Sequence, residues 1–279
     1  MRQIKLPNFL YVGPGKTGST WIFKALDAHP EVFVPPAKEL YFFSHHFDKG
    51  YTWYSQFFED ADDKIKAVGE LTPGYLYSKE VAERIASGLP GVKLFVCLRN
   101  PIERSFSAYL FKKRNGIAEA DFFSTMERFP EILERSKYAE SIKMYNDLFG
   151  SEYFKVFLHD DLKRDALAFS RDIYQFIEVD SDFIFEDAKK KVLPASQPRS
   201  SILAIAVYKA SRVAHDLGWL KLIGMVRNSF ISKLLYKPVD NQRKETLTDE
   251  ERIQLVEYFS ADVKELETLL NRDLHHWLQ

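Results

Sequence analysis

Cysteine is nearly absent from this chain of 279 residues: only Cys97 is present, so no intramolecular disulfide can form. The chain has no run of about 18 apolar residues, the length that marks a candidate membrane-spanning helix, and its N-terminal sequence reaches the first apolar strand without a signal-type segment. The formal net charge of −1 gives no general attraction to nucleic acid or to anionic membranes. We therefore expect a cytoplasmic protein without an integral membrane segment, whose sites for charged ligands are local.

The sequence also lacks internal repeats, low-complexity segments and any Pro- or Gly-rich linker, which predicts one domain over residues 1–279. Continuous apolar runs, typical of strands buried on both faces, alternate with segments of helical period. This alternation predicts an α/β fold with a central parallel sheet flanked by helices. The predicted strands cover residues 9–12, 32–34, 66–75 with a closing turn, 94–98 and 153–158. Residues 117–137 show no regular period and are expected to form an irregular covering segment.

The stretch Phe9-Leu-Tyr-Val-Gly-Pro-Gly-Lys-Thr-Gly-Ser-Thr-Trp21 predicts a buried strand, a glycine-rich turn and the start of a helix that Ser19 or Thr20 can cap. Successive backbone N–H groups in such a turn, with the positive end of the helix dipole, form an anion site. Lys16 adds a full charge at its centre. A nucleotide-triphosphate loop needs a glycine at the position of Leu10, so this stretch is not that motif.

A second anion-binding pattern follows the apolar strand 94–98. Arg99 comes at the carboxyl end of that strand, where open α/β sheets bind their ligands. Asn100 and Pro101 suit the cap and the first position of a new helix, and Ser107 returns about two turns later to the face of Asn100. An arginine fork and a hydroxyl on one face suit a phosphate monoester.

Together these segments resemble the donor-binding motifs of sulfotransferases that use 3′-phosphoadenosine 5′-phosphosulfate (PAPS). The resemblance implies the P-loop-like sulfotransferase fold, PAPS as the sulfuryl donor and a scheme that requires no metal. It assigns the 3′-phosphate to Arg99 and Ser107. The residues that it assigns to the 5′-phosphosulfate are Lys16, Thr17, Gly18, Ser19, Thr20 and Trp21, with Lys16 also stabilising the leaving group.

Two glutamates are candidates for the catalytic base. Glu39 lies in Lys-Glu-Leu-Tyr-Phe-Phe, which resembles a motif of the heparan sulfate sulfotransferases and their bacterial relatives, in which the matching glutamate is the base. Glu70, in Glu-Leu-Thr-Pro, is a second candidate base or an acceptor-orienting carboxylate. Leu71 stands where the heparan enzymes commonly have a lysine, which weakens the case for a sulfated glycan. His45 is a third group that could reach the acceptor.

Two later segments have alternative interpretations. Residues 189–201 are basic and proline-broken, and Arg199 and Ser200 resemble a loop that closes over the adenosine and 3′-phosphate in bacterial sulfotransferases; the alternative is a solvated turn. Residues 217–236 form a basic amphipathic segment that either lies on a membrane or packs over the acceptor site.

The predicted reaction moves a sulfuryl group from PAPS to a hydroxyl or amine, with carbohydrate as the first acceptor class and a lipid, a small-molecule hydroxyl or a tyrosine as alternatives. Two other classes of protein share the layout. A P-loop-like kinase would need the missing glycine and Mg²⁺ ligands. A non-catalytic nucleotide-binding module would keep Lys16 and Arg99 without turnover. The acceptor and the oligomeric state are left open by the sequence.

Overall fold

The computed structural model describes residues 5–36, 38–188, 196–198, 210, 213, 236–238 and 245–279. Two units make up the chain: a first unit of Met1–Leu98 with Met144–Val192, and a second unit of Arg99–Lys143 with Leu193–Gln279. Arg199 and Ser200 lie outside the described residues, as does nearly all of the 217–236 segment.

A five-stranded parallel sheet forms the centre of the first unit, as the alternating pattern predicted. Its strands are β1 (Phe9–Tyr11), β2 (Val32–Phe33), β3 (Ala67–Leu71), β4 (Lys93–Leu98) and β5 (Phe154–Leu158). Their order is β2-β3-β1-β4-β5, and every neighbouring pair is parallel. Because β1 pairs with both β3 and β4, the carboxyl ends of these three strands lie at one edge of the sheet.

The described helices are numbered in chain order across both units. They are α1 (Ser19–Asp27), α2 (Phe42–His45), α3 (Gly50–Ser55), α4 (Lys79–Gly88), α5 (Pro101–Arg114), α6 (Phe122–Arg128), α7 (Glu131–Glu134), α8 (Ala139–Tyr153), α9 (His159–Arg164), α10 (Ala166–Phe176) and α11 (Asp249–Leu270). Gly150 interrupts α8 with a φ of 74°. Short 3-10 segments cover Phe47–Lys49, Tyr75–Tyr77 and His275–Leu278, and strands β6 (Ser196–Pro198) and β7 (Tyr236–Pro238) form an antiparallel pair. No helix within these described ranges is long and apolar enough to cross a membrane.

Aromatic side chains hold α1 against α10 and the segment that follows α10 in the first unit. The Trp21 ring packs edge-on against Phe169 at 5.8 Å and Phe185 at 5.6 Å between ring centroids. Its indole N–H donates to the carbonyl of Ala188 at 3.1 Å. Because the buried indole packs against two rings and its N–H group is hydrogen-bonded, Trp21 fixes the position of the start of α1, where the preceding turn ends.

Gly69 in β3 is required by a close approach of two strands. A Cβ at this position would lie 2.5 Å from both the ring and the carbonyl oxygen of Phe9, its partner in β1. No side chain fits there. The next residue, Glu70, points to the opposite face of the sheet because side chains alternate along a strand.

The second unit contains helices where the sequence suggested an irregular segment. Residues 122–128 and 131–134 are helical, so the prediction of irregular structure over 117–137 is wrong. The side chain of Asp121 accepts a hydrogen bond from the Ser124 amide at 3.0 Å and caps α6. Helix α11 begins with a capping box, since both reciprocal hydrogen bonds between Thr248 and Glu251 are present.

Asn100 caps α5, as predicted, and also fastens the C-terminal segment of the second unit. Its side-chain oxygen accepts from the amides of Ile102 at 2.9 Å and Glu103 at 3.3 Å. Its amide group donates to the carbonyl of Trp277 at 3.1 Å. One buried side chain therefore satisfies the start of a helix and a distant backbone carbonyl.

We expect Asn100→Ala to lower the free energy of unfolding by about 1–2 kcal/mol, because it removes the cap and leaves buried backbone groups without partners. Asn100→Asp keeps the capping oxygen but turns a carboxylate oxygen toward the Trp277 carbonyl, so it should restore the helix cap without restoring the bond to Trp277. Urea unfolding followed by circular dichroism measures both. Equal unfolding midpoints for wild type and Asn100→Ala would contradict the assigned role.

Candidate functional site

The turn between β1 and α1 is braced by two hydroxyl groups beneath its backbone. The Tyr11 hydroxyl lies 2.9 Å from the carbonyl of Pro14 and 2.8 Å from Thr17 Oγ1, and Thr17 Oγ1 donates to the same carbonyl at 2.9 Å. Thr17 is fully buried. Because its hydroxyl is used within the turn, the contribution that Thr17 can make to an anion site is that of its backbone.

The backbone of this turn departs twice from ordinary geometry. Lys16 has a φ of 75° and Gly18 has a φ of 97°, both in the left-handed region. Glycine adopts this conformation freely, whereas lysine does so at a cost of about 1–3 kcal/mol. Strain of this kind in a non-glycine residue is typical of ligand sites, where it fixes backbone N–H groups in one direction.

Helix α1 begins without a side-chain cap, so the prediction that Ser19 or Thr20 caps it is wrong. Gly18 occupies the N-cap position, and its carbonyl accepts the amides of Trp21 at 2.8 Å and Ile22 at 3.0 Å. The left-handed conformation of Gly18 brings the chain directly into the helix, which makes Ser19 its first residue. The first turn carries no acidic residue, so the helix dipole leaves positive potential beside Lys16.

Lys38 adds a buried cation to the start of α1. The residue is 5% exposed, and its Nζ donates to Thr20 Oγ1 at 3.1 Å. The same Nζ lies 5.8 Å from the centre of the Phe23 ring. Lys38 was not among the site residues that the sequence indicated, although its position beside Glu39 and before an apolar run was the available signal.

Glu39 follows Lys38 in a strained backbone conformation. Its φ is 69°, and the φ of Tyr41 is 51°. The Glu39 amide donates to the carbonyl of Leu71 at 2.9 Å, while its carboxylate accepts from the Tyr41 hydroxyl at 3.3 Å. Glu39 is partly exposed. The link between Lys38 and Thr20 therefore brings a carboxylate that solvent can reach to the neighbourhood of the turn between β1 and α1.

Glu70 is placed quite differently, because it is 1% exposed and surrounded by hydroxyl groups. Tyr54 donates to its Oε1 at 2.7 Å, Thr72 to its Oε2 at 2.6 Å, and Tyr75 to Oε1 at 3.3 Å. Burial raises the pKa of Glu70, and the hydrogen bonds from Thr72 and Tyr54 oppose that rise. Burial also raises the pKa of both tyrosines well above the usual value, so their hydroxyls stay protonated and donate.

The aromatic run after Glu39 forms core rather than an acceptor surface. Phe42 and Phe43 are fully buried, and Phe42 stacks on Tyr54 at 4.1 Å between ring centroids. Tyr54, Phe57 and Phe58 are buried as well. His45 is exposed and packs edge-on against the Tyr41 ring at 5.1 Å.

In the second unit, Arg99 directly follows β4 and Ser107 lies within α5. The Arg99 side chain is 22% exposed, and its Nη2 and Nε each lie 3.0 Å from Glu103 Oε2. The Arg99 carbonyl accepts the Tyr138 hydroxyl at 2.9 Å. Ser107 is partly exposed. This arrangement orients a guanidinium that could exchange a carboxylate for a phosphate.

The first unit thus offers two groups suited to group transfer. The turn, the start of α1, Lys16 and Lys38 supply positive charge for a phosphate-bearing ligand. Glu39 supplies a carboxylate that can accept a proton. Among the residues that the structure describes, no group of three or more His, Cys, Asp or Glu side chains is placed to hold a metal ion.

Comparison with known sequences connects this geometry to one family. Residues 6–196 match the sulfotransferase domain model. A membrane-associated sulfotransferase of Dictyostelium discoideum is 36% identical over 156 residues, covering 51% of this chain and 33% of that protein. The human bifunctional heparan sulfate N-deacetylase/N-sulfotransferase 2 is 37% identical over 119 residues, covering 40% of this chain and 14% of that protein. The matches therefore span at most 33% of the length of these two relatives.

Solved structures give the same result over a longer part of the chain. A sulfotransferase from Alicyclobacillus acidocaldarius has a TM-score of 0.72 and 25% identity, covering 99% of this chain and all of that one. The sulfotransferase domain of a Synechococcus olefin synthase, at a TM-score of 0.51 and 14% identity, shares the fold. With the domain match covering well over half of the sequence, this chain belongs to the sulfotransferase family.

Proposed function

We propose that this protein transfers a sulfuryl group from PAPS to a hydroxyl or amine of an acceptor. One observation carries the proposal: the buried ammonium of Lys38 lies 3.1 Å from a hydroxyl at the start of α1, and the next residue in the chain is a partly exposed carboxylate. This arrangement supports a cationic site for a phosphate-bearing leaving group beside a base for the incoming nucleophile.

The 5′-phosphosulfate end of the donor would bind to the turn and the start of α1. Lys16 and the backbone N–H groups from Thr17 to Thr20, including those of Gly18 and Ser19, would hold the phosphate, with Trp21 anchoring the helix behind them. Lys38 adds a further restriction. An ammonium can only donate, so the hydrogen of the Thr20 hydroxyl is directed away from Lys38, where a phosphate oxygen can accept it.

The 3′-phosphate of the donor is assigned to Arg99 and Ser107 of the second unit. The guanidinium of Arg99 has five N–H donors, and its bonds to Glu103 use two of its nitrogens. A phosphate would therefore add to this pair or replace it. Arg199 and Ser200, outside the described residues, remain proposed further contacts to the adenosine and the 3′-phosphate.

In the proposed reaction, the acceptor oxygen or nitrogen attacks the sulfur in line with the leaving group. The new bond to sulfur forms as the bond between sulfur and the bridging oxygen breaks, and Glu39 takes the acceptor proton. Lys16 stabilises the charge that develops on the bridging oxygen of the departing 3′-phosphoadenosine 5′-phosphate (PAP). The exposure of Glu39, compared with 1% for Glu70, supports Glu39 as the base. The scheme requires no metal.

For the acceptor, we propose a carbohydrate as the first class to test. Relatives named for heparan sulfate support this choice, while Leu71 removes a cation that a sulfated glycan would contact. A lipid, a small-molecule hydroxyl and a tyrosine are the alternatives. The cytoplasmic location expected from the sequence also stays a prediction.

A screen with labelled PAPS tests the proposed function directly. Hydroxylated sugars, amino sugars, lipids and phenols are offered as acceptors, and a parallel series replaces PAPS by ATP and Mg²⁺. We expect label transfer from PAPS alone. Transfer from ATP would support a kinase, and donor binding without transfer to any acceptor would support a non-catalytic nucleotide-binding module.

We expect the protein to bind PAP in the presence of EDTA, and much more tightly than AMP, because only PAP carries the 3′-phosphate. Arg99→Ala should weaken PAP binding about 10- to 100-fold, since a charge-assisted phosphate contact contributes about 1.5–3 kcal/mol. Calorimetry measures both affinities. Arg128→Ala, which removes an exposed arginine of the second unit, is the control and should leave PAP affinity unchanged. Equal affinities for PAP and AMP would refute the role of Arg99 and Ser107.

We expect Glu39→Gln to lower kcat by about 10²- to 10⁴-fold with unchanged PAP affinity, because a base contacts the acceptor and not the nucleotide. Steady-state rates with the best acceptor from the screen, together with PAP calorimetry, provide the measurement. Glu83→Gln removes an exposed carboxylate of α4 in the first unit and should behave as wild type. Near-normal turnover in Glu39→Gln would exclude it as the base.

A further inference from the structure

Three backbone amides of the segment that carries Glu39 are connected by hydrogen bonds to the carboxylate of Glu70, one directly and two through a side-chain hydroxyl. The Leu40 amide hydrogen-bonds to this carboxylate directly. The Tyr41 amide donates to Thr72 Oγ1 at 3.5 Å, and that hydroxyl donates in turn to Glu70 Oε2 at 2.6 Å. The direct bond and the relay through Thr72 connect neighbouring residues of this segment to one buried group.

The third amide reaches Glu70 through a tyrosine. The Phe43 amide donates to the Tyr75 hydroxyl at 3.2 Å, and the Tyr75 hydroxyl donates to Glu70 Oε1 at 3.3 Å. Tyr54 adds a fourth donor to the carboxylate at 2.7 Å. Since all of these hydrogens point toward position 70, only a group that accepts hydrogen bonds at both oxygens can satisfy them.

The anchored segment is also the strained one. Glu39 and Tyr41 both have positive φ, although neither is glycine. Residues persist in this region only when surrounding contacts hold them there. The Glu39 amide is bound to Leu71, the residue next to Glu70 in β3, so the same strand end holds the backbone on which the Glu39 carboxylate depends.

We infer that Glu70 is a positioning residue: its carboxylate holds the backbone of residues 39–43 in the conformation that presents Glu39 to the acceptor. In this inference, the Glu70 carboxylate contacts neither the acceptor substrate nor PAPS. The inference rests on the proposed function for the role of Glu39, while the anchoring of the segment stands independently of it. Glutamine at position 70 would place an NH₂ group against donors, and the Leu40 N–H, unlike a hydroxyl, cannot turn to accept from it.

The first measurement is hydrogen exchange of the full-length Glu70→Gln protein, which requires no substrate. We expect the amides of residues 40–43 to exchange faster than in wild type, while the β4–β5 amides keep their protection. Unchanged exchange over residues 40–43 would overturn the inference whatever the enzyme does. If the wild type shows no sulfuryl transfer, the proposed function fails, and exchange still decides whether Glu70 holds the segment.

The second measurement separates positioning from direct chemistry. Glu70→Gln should lower kcat about 10- to 100-fold, with little change in acceptor KM or PAP affinity, because the base is misplaced while the donor site is intact. In a Glu39→Gln background the same substitution should have no further effect on the residual rate, since Glu70 acts through Glu39. Independent, additive losses, or an unchanged kcat in the single variant, would refute the inference.

A milder pair of variants keeps the test decisive if Glu70→Gln does not fold. Tyr54→Phe removes one hydroxyl from Glu70, whereas Tyr174→Phe removes an equally buried hydroxyl that donates to the carbonyl of Ala25 at 3.0 Å. We expect faster exchange over residues 40–43 and a lower kcat in Tyr54→Phe only. Equal effects in the two variants would show a general loss of stability instead and would overturn the inference.

Discussion

The parallel pairing of β1 with both β3 and β4 is the constraint on which the first unit depends. It places three carboxyl strand ends at one edge of the sheet. The turn after β1 and the residues after β3 then share hydrogen bonds: the Thr72 amide donates to the Tyr11 carbonyl at 3.1 Å, and the Gly74 amide donates to the Gly13 carbonyl at 3.1 Å. The turn after β1 and the strand end that holds Glu39 are thereby connected by backbone hydrogen bonds alone.

Much of the sheet could be predicted because a strand buried on both faces needs a continuous apolar run, which is a local property of sequence. The misses also have local causes. The start of α1 was misassigned because the left-handed conformation of Gly18 makes a side-chain cap unnecessary. Helix α6 was missed because it is short and its signal is a single cap, Asp121, ahead of a weakly periodic segment.

The candidate site was predicted less completely, and the reason is sequence separation. Lys16 and Glu39 could be predicted because the residues next to them in the sequence form recognisable motifs. The surroundings of Glu70 come from Tyr54, Thr72 and Tyr75 together with amides near residue 40, and no local pattern in the sequence indicates that these groups converge. For Lys38, the neighbouring Glu39 and the apolar run were visible in the sequence, whereas its contact with Thr20 was not. A sequence shows which side chains are charged, but the distant residues that hydrogen-bond to them are brought close only by the fold.

The neighbouring residues Gly69 and Glu70 also affect the register in which β3 pairs with β1. Gly69 faces the Phe9 ring with no room for a side chain, while Glu70 faces four hydrogen-bond donors. A slip of β3 by one residue in one direction would place the Glu70 carboxylate against the Phe9 ring, whereas a slip in the other direction would leave the buried Tyr54 hydroxyl facing Gly69. Each direction of slip therefore carries its own penalty. The pair Gly69 and Glu70 therefore favours the native register of β3 over registers displaced by one residue in either direction.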